Sequence, residues 1–267
     1  MLGAVFSMGK LTIESAVTLV VFAVGSALLV AHVFVLNDWS GVSSDLQDPN
    51  RATDVFMARG IGRDEIGYLS VVLLAVSLLL LSQCGSLTLA IASIIAGLSA
   101  LYSVPAAQLK GVPLLNSTLH LVGGVLHFLL GYSVFHVVDA RSLEIGCFFA
   151  LIFSAGHLTH EVRDLDGDRR SGIETNAARF GKARSFAAGL ALFTTADLLL
   201  VALAVRGTVP RVLVVVAALY PLHLYWSFQA LRAGLTFENV RRLQLRYRAI
   251  YAIVGVTMLV AVVLGRW

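Results

Sequence analysis

The sequence predicts an all-α protein. It reads as a polytopic membrane bundle of about eight transmembrane helices around a central cavity, built as two pseudo-repeats of four and forming one membrane-embedded domain over residues 1–267. Three observations predict this. Hydrophobic residues make up 58% of the chain and charged ones only 13%, against about 25% charged in ordinary soluble domains, and the mean hydropathy is +0.84. The apolar residues gather into eight long runs. Eleven of the sixteen carboxylates fall in two long polar loops, roughly residues 37–65 and 160–183, with four runs separating one from the other.

A helix needs about 20 mostly apolar residues to span hydrocarbon, because lipid offers no partner to an open backbone group. The runs lie at 11–36, 66–84, 87–103, 117–137, 143–159, 184–205, 209–230 and 247–265. The first is too long for a secretory signal core of about 7–15 residues. It also leads straight into Asn37-Asp38-Trp39 without a small-residue cleavage site, so it reads as a retained span. Cys84 and Cys147 sit in separate apolar stretches, which excludes a disulfide framework and a cysteine metal site.

The formal charge of +4 reflects topology and implies no nucleic acid partner. Short cytoplasmic loops accumulate Lys and Arg. With both ends outside, fifteen of the twenty basic residues fall on inner segments: Arg51, Arg59 and Arg63, then Lys110, six between 163 and 184, and five between 232 and 248. Both acidic stretches then open on the cytoplasmic face. The group Arg241, Arg242, Arg246 and Arg248 reads as a positive-inside anchor that also meets anionic lipid headgroups.

The first acidic motif is Asn37-Asp38-Trp39-Ser40-Gly41-Val42-Ser43-Ser44-Asp45. If helix continues past Asp38, residues 38, 41 and 45 share a face, since positions three and four apart are neighbours. The second is Arg163-Asp164-Leu165-Asp166-Gly167-Asp168, in which Asp164 and Asp168 are one turn apart and His160 precedes Asp164 by one turn. Carboxylates crowded at one side of a bilayer repel unless a cation sits among them. Hard oxygen ligands without a compact Cys or His set point to Mg²⁺. Magnesium keeps waters and takes one or two carboxylates together with substrate phosphate oxygens, so paired acidic motifs with Lys110, Arg51 and Arg163 nearby suggest a bound diphosphate. The metal would stabilise charge on the departing group, and the apolar bundle would hold a hydrocarbon chain.

These residues resemble the UbiA-type intramembrane prenyltransferases. Asn37-Asp38 through Asp45 is similar to the family's NDxxDxxxD motif. Tyr102-Ser103-Val104-Pro105 with downstream Lys110 and Asn116 is similar to its Tyr-Ser-x-Pro loop. Asp164 through Asp168, followed by Gly172, Thr175 and Phe180-Gly181, is similar to its DxxxD motif and tail. The resemblance implies Mg²⁺-dependent ionisation of an isoprenyl diphosphate to an allylic cation, which a hydrophobic, aromatic acceptor traps in the membrane. It assigns the metal and catalytic site to Asp38, Asp45, Asp164 and Asp168, diphosphate contacts to Asn37 and Lys110, and the path of the cation to Tyr102; Arg51, Arg163 and His160 complete the expected substrate site. Two departures stand out. Gly41 occupies the place of the middle Asp, and the chain begins at what would be the second of the family's usual nine helices.

Other polar residues have plainer readings. Asp54, Asp64, Glu65 and Asp166 suit solvated positions, and Asp48 is a reserve ligand. The spacing His157, His160, Glu161 is an HxxHE pattern, read as part of the helix feeding the second motif rather than as a metal site. His32, His120, His127, His136 and His223 are single polar groups in apolar surroundings, of the kind that bond a neighbouring helix, and any of them could position an acceptor. Asp197 in mid-helix should be neutral, paired or facing a polar cavity. The same constellation serves a terpene cyclase of this superfamily, so transfer and cyclisation both stay open. A transporter is disfavoured because the acids cluster at helix ends on one side and no matching pair of Gly/Pro-broken helices is present.

Overall fold

The computed structural model describes residues 1–46, 52, 53 and 55–265. Its helices are α1 (Leu2–Ser7), α2 (Ile13–Asp45), α3 (Arg63–Ser82), α4 (Ser86–Ser103), α5 (Leu115–Tyr132), α6 (Ala140–Arg170), α7 (Asn176–Phe180), α8 (Lys182–Val205), α9 (Leu213–Ala217), α10 (Tyr220–Arg232) and α11 (Phe237–Val263). Short 3₁₀ turns occur at Phe56–Arg59 and Leu109–Gly111.

Seven segments among the described residues are long and apolar enough to cross a membrane, α9 and α10 counting as one, and the chain is an integral multi-pass membrane protein. The expected run at 117–137 is present as α5, an 18-residue helix. It carries Asn116, His120 and His127 and is less apolar than the other seven segments. The run at 209–230 is not one helix. It divides into α9 and α10, with Pro221 at the start of α10, where its missing N–H costs nothing.

The polar stretches 37–65 and 160–183 are not loops throughout, as their hydropathy suggested. α2 continues to Asp45 and α6 to Arg170, so both acidic motifs ride on helix that projects beyond the apolar run. Hydropathy marks where a helix leaves hydrocarbon; the backbone ladder ends only where a turn interrupts it. After α6 that turn is made at Gly172, whose φ of 67° suits a residue without Cβ. At its other end α6 is fixed by Asp139, which accepts from the Ser142 amide at 2.7 Å.

Lipid tails are as apolar as leucine, so helices here associate through close packing and hydrogen bonds rather than by escaping water. α5 and α6 meet at Gly124, where a Cβ would lie 2.5 Å from the Ala150 Cα. α6 and α8 meet at Gly189, beside the Ala155 carbonyl. α2 and α3 are stitched by Ser77, which donates to the Gly25 carbonyl at 2.8 Å, and by His32 Nδ1, 2.9 Å from the Ser70 carbonyl and 3.0 Å from its hydroxyl. His32 thus bonds a neighbouring helix, as expected. α1 is too short to show a period in sequence; it lies buried against α5 and α11, with Gly3 over the Phe128 carbonyl.

Substituting Gly124 with Ala should destabilise the detergent-solubilised protein by about 1–3 kcal/mol through backbone overpacking, read as a lowered thermal unfolding midpoint. Gly97→Ala is the contrast, since nothing lies within 4 Å of a Cβ there. It should be neutral or stabilising by up to about 1 kcal/mol.

Candidate active site

The first motif occupies the projecting end of α2. Trp39 is held against α3 by the Arg63 guanidinium, 5.1 Å from its ring centroid, and by the bare face of Gly67. Ser40 donates to the Ser103 carbonyl at the end of α4, which brings the projecting end of α2, the helix turn that carries the first motif, against the start of the Ser103–Lys110 connection. Gly41, one residue on, lies beside Lys110. A Cβ there would sit 3.2 Å from Asp45 Oδ2 and 3.7 Å from Lys110 Nζ. The position that departs from the family pattern is therefore where a carboxylate and an ammonium fold over bare backbone.

The second motif occupies the projecting end of α6. Arg163 grips its neighbour Asp164 in a fork, Nε to Oδ1 at 2.6 Å and Nη2 to Oδ2 at 2.8 Å. Its Nη1 donates to Gln244 Oε1 of α11 at 2.8 Å, and Phe237 lies under the guanidinium at 5.6 Å. Two parallel charge-assisted bonds fix a carboxylate firmly, so Asp164, 8% exposed, is presented in one orientation. Asp168 Oδ2 accepts from Thr175 Oγ1 at 3.3 Å. Thr175 also caps α7, which ties the tail after the second motif to the motif itself. Asp166 points outward beside Lys182, 3.6 Å away, as its plainer reading foresaw.

What joins the two ends is a buried polar knot. The Lys110 carbonyl accepts from Asn116 Nδ2 at 3.1 Å, and the same amide donates to Glu161 Oε1 at 2.6 Å. Asn176 Nδ2 donates to Asn116 Oδ1 at 2.7 Å and to Glu161 Oε1 at 3.1 Å, while its own oxygen accepts from the Leu114 amide at 2.7 Å. Lys110, whose ammonium reaches the first motif, is thereby anchored to Glu161, three residues before Asp164. Both acidic motifs lie at the same end of the bundle.

Sequence reasoning missed Asn176 and gave Glu161 no role. The available signal was register, because Glu161 lies one turn before Asp164 and shares its face. His160 turns toward α11, its Nε2 2.9 Å from Arg248 Nη2, whereas His157 turns toward Glu161. His160 thus turns away from the other two residues of the HxxHE pattern, and among the described residues no three His, Cys, Asp or Glu side chains converge into a cage for a metal. Arg51, Asp48 and Asp54 lie outside the described residues.

Comparison with known proteins bears on the whole chain. The model of the UbiA prenyltransferase family matches residues 1–245. A search of the curated proteins finds no match by sequence. Among solved structures, a UbiA homolog from Archaeoglobus fulgidus bound to DMAPP and Mg²⁺ superposes with a TM-score of 0.75 at 17% identity, over 97% of this chain and 91% of that one. The same homolog bound to GPP and Mg²⁺ gives 0.75 at 17% identity, over 98% and 93%. A digeranylgeranylglyceryl phosphate synthase gives 0.69 at 18% identity, over 98% and 89%. At these identities the likeness speaks for the fold.

Replacing Asn116 with Leu removes the donor shared by Lys110 and Glu161 and leaves a buried carboxylate underserved. The expected cost is about 1–3 kcal/mol, read as a lower unfolding midpoint. Asn116→Gln should cost less.

Proposed function

The chain belongs to the UbiA prenyltransferase family, and from that premise we propose that it transfers a prenyl group from an isoprenyl diphosphate to a hydrophobic acceptor within the membrane, as a single domain over residues 1–267 whose site opens toward the cytoplasmic face. The observation that carries this reading is the meeting of two acidic helix ends around Lys110, bound to one motif through its approach to Gly41 and Asp45 and to the other through Asn116 and Glu161. The Archaeoglobus relative holding DMAPP or GPP with Mg²⁺ supports the same choice of donor and metal.

The donor set suits magnesium. Asp38, Asp45, Asp164 and Asp168 offer hard carboxylate oxygens without any three forming a closed cage, which leaves coordination to be completed by phosphate oxygens and water, as this ion prefers. When bound, Mg²⁺ would neutralise charge on the departing diphosphate. The chain's own groups do the rest. Lys110 and Asn37 engage diphosphate oxygens, Arg163 holds Asp164 in register and His160 borders the substrate beside it, with Arg51 supplying a further cation. Tyr102 faces the allylic carbon, and the apolar helix walls keep water from the cation. The polar head thus rests at the projecting helix ends while the prenyl tail lies among the spans.

In purified protein supplied with geranyl diphosphate and Mg²⁺, Asp38→Ala, Asp164→Ala and Asp168→Ala should each reduce diphosphate release at least a hundredfold, and chelation should abolish it until Mg²⁺ is restored. Turnover retained in all three variants overturns the assignment. Gly41→Asp adds a carboxylate where Asp45 and Lys110 meet, and should lower the Mg²⁺ concentration for half-maximal release several-fold in a metal titration.

A further inference from the structure

Beneath the projecting acids, inside the spans, lies a cluster that diphosphate chemistry leaves unused. His120 of α5 and His157 of α6 stack face to face, ring centroids 3.6 Å apart and planes within 10°. Tyr102 stands edge-on to His120 at 5.1 Å, and Phe153 closes the far side at 5.3 Å. His157 Nε2 lies 3.0 Å from Glu161 Oε1, off the line of a regular hydrogen bond. Glu161 is 4% exposed, and its second oxygen, Oε2, is buried with no partner among the described residues. Ionisable groups at membrane depth are costly and mark function more often than packing. A buried carboxylate oxygen without a donor is costlier still.

The cluster is aligned with the site above it. Residues 157, 161, 164 and 168 fall within one narrow stripe of α6, because steps of four, three and four residues return close to the same angle. Seven residues separate His157 from Asp164, roughly 10 Å along the axis. That places the imidazoles below the second motif, at the level where the tail of a head-anchored prenyl diphosphate begins. Tyr102 leads to the same level from the other motif, since the next residue, Ser103, takes the hydrogen bond from Ser40. The protonation pattern also follows. His120 Nδ1 is 2.8 Å from the Asn116 carbonyl, and a carbonyl only accepts, so Nδ1 carries the hydrogen and Nε2 keeps a lone pair.

We propose that the His120–His157–Glu161 cluster is the acceptor's subsite, and that it selects an acceptor bearing a hydroxyl group and receives that group's proton. The inference rests on the prenyl-diphosphate reading. In the step it serves, the bond from the prenyl C1 to the diphosphate oxygen breaks with its electron pair leaving on diphosphate. The acceptor oxygen forms the new bond to C1, and its proton passes to His120 Nε2. The Glu161 carboxylate beside His157 provides the counter-charge for the cation then held in the stacked pair. Of the histidines expected to be able to position an acceptor, His120 is stacked on His157, which brings it beside a carboxylate.

The test uses the full-length purified protein with geranyl diphosphate, Mg²⁺ and one of three hydroxyl probes: 4-hydroxybenzoate, farnesol or a monoalkyl glycerol. The readout is the ratio of prenylated probe to free geraniol. Wild type should prenylate at least one probe. Glu161→Gln, which keeps an oxygen for both asparagines, and His120→Ala should each lower the ratio at least tenfold, with added imidazole restoring it in His120→Ala. Folding is checked by gel filtration, and the isosteric Glu161→Gln carries the test if His120→Ala aggregates. An unchanged ratio in Glu161→Gln overturns the inference. So does wild type that releases diphosphate yet prenylates no probe, an outcome that leaves the prenyl-diphosphate reading standing. Absence of diphosphate release from wild type overturns that reading, and the inference with it.

Discussion

The short bond from Asn116 to Glu161 is the interaction on which the site's assembly depends. A polar group buried away from water without a partner is penalised by about 2–7 kcal/mol, so the buried Asn116, Asn176 and Glu161 are driven to satisfy one another. Their mutual satisfaction is possible only when α5, α6 and the start of α7 are in register. The Lys110 turn is drawn in by the same amide, and with it the ammonium that meets the end of α2. A few neutral-to-charged hydrogen bonds thus do what a hydrophobic core does in water, with more directional demand.

Charge balance around the acids follows a similar economy. Asp164 arrives with its own cation, Arg163, from the adjacent residue, and that cation is braced by Gln244 and Phe237 of α11. Asp168 accepts from the hydroxyl of Thr175, which ties it to the cap of α7. On α2, where Gly41 stands in place of a third acid, the ammonium of Lys110 approaches the backbone directly.

Much of this was legible beforehand, and for identifiable reasons. The apolar runs located the spans because lipid imposes a minimum length, and the one-turn spacing of Asp164 and Asp168 survived because α6 is helical across it. The ends of α2 and α6 were misread as loops because hydropathy reports the solvent, not the backbone. Asn176 was invisible because its partners lie on other elements, at separations no local period encodes. The stacking of His120 on His157 is of the same kind: each residue was visible, the pairing across two helices was not. α1 gave no signal because six residues complete too few turns for a pattern.

The glycine seams at Gly124 and Gly189 carry a consequence for divergence. Where two backbones touch, only the smallest residues fit, while outward side chains such as Val71, Leu79 and Val256 are exposed and packed against no other helix face that would fix their shape. Any apolar side chain serves there equally well. Selection therefore grips a thin inner lattice of small and polar positions and leaves the remainder free to drift, so that two such proteins can lose nearly all recognisable likeness in their letters while keeping the same arrangement of rods.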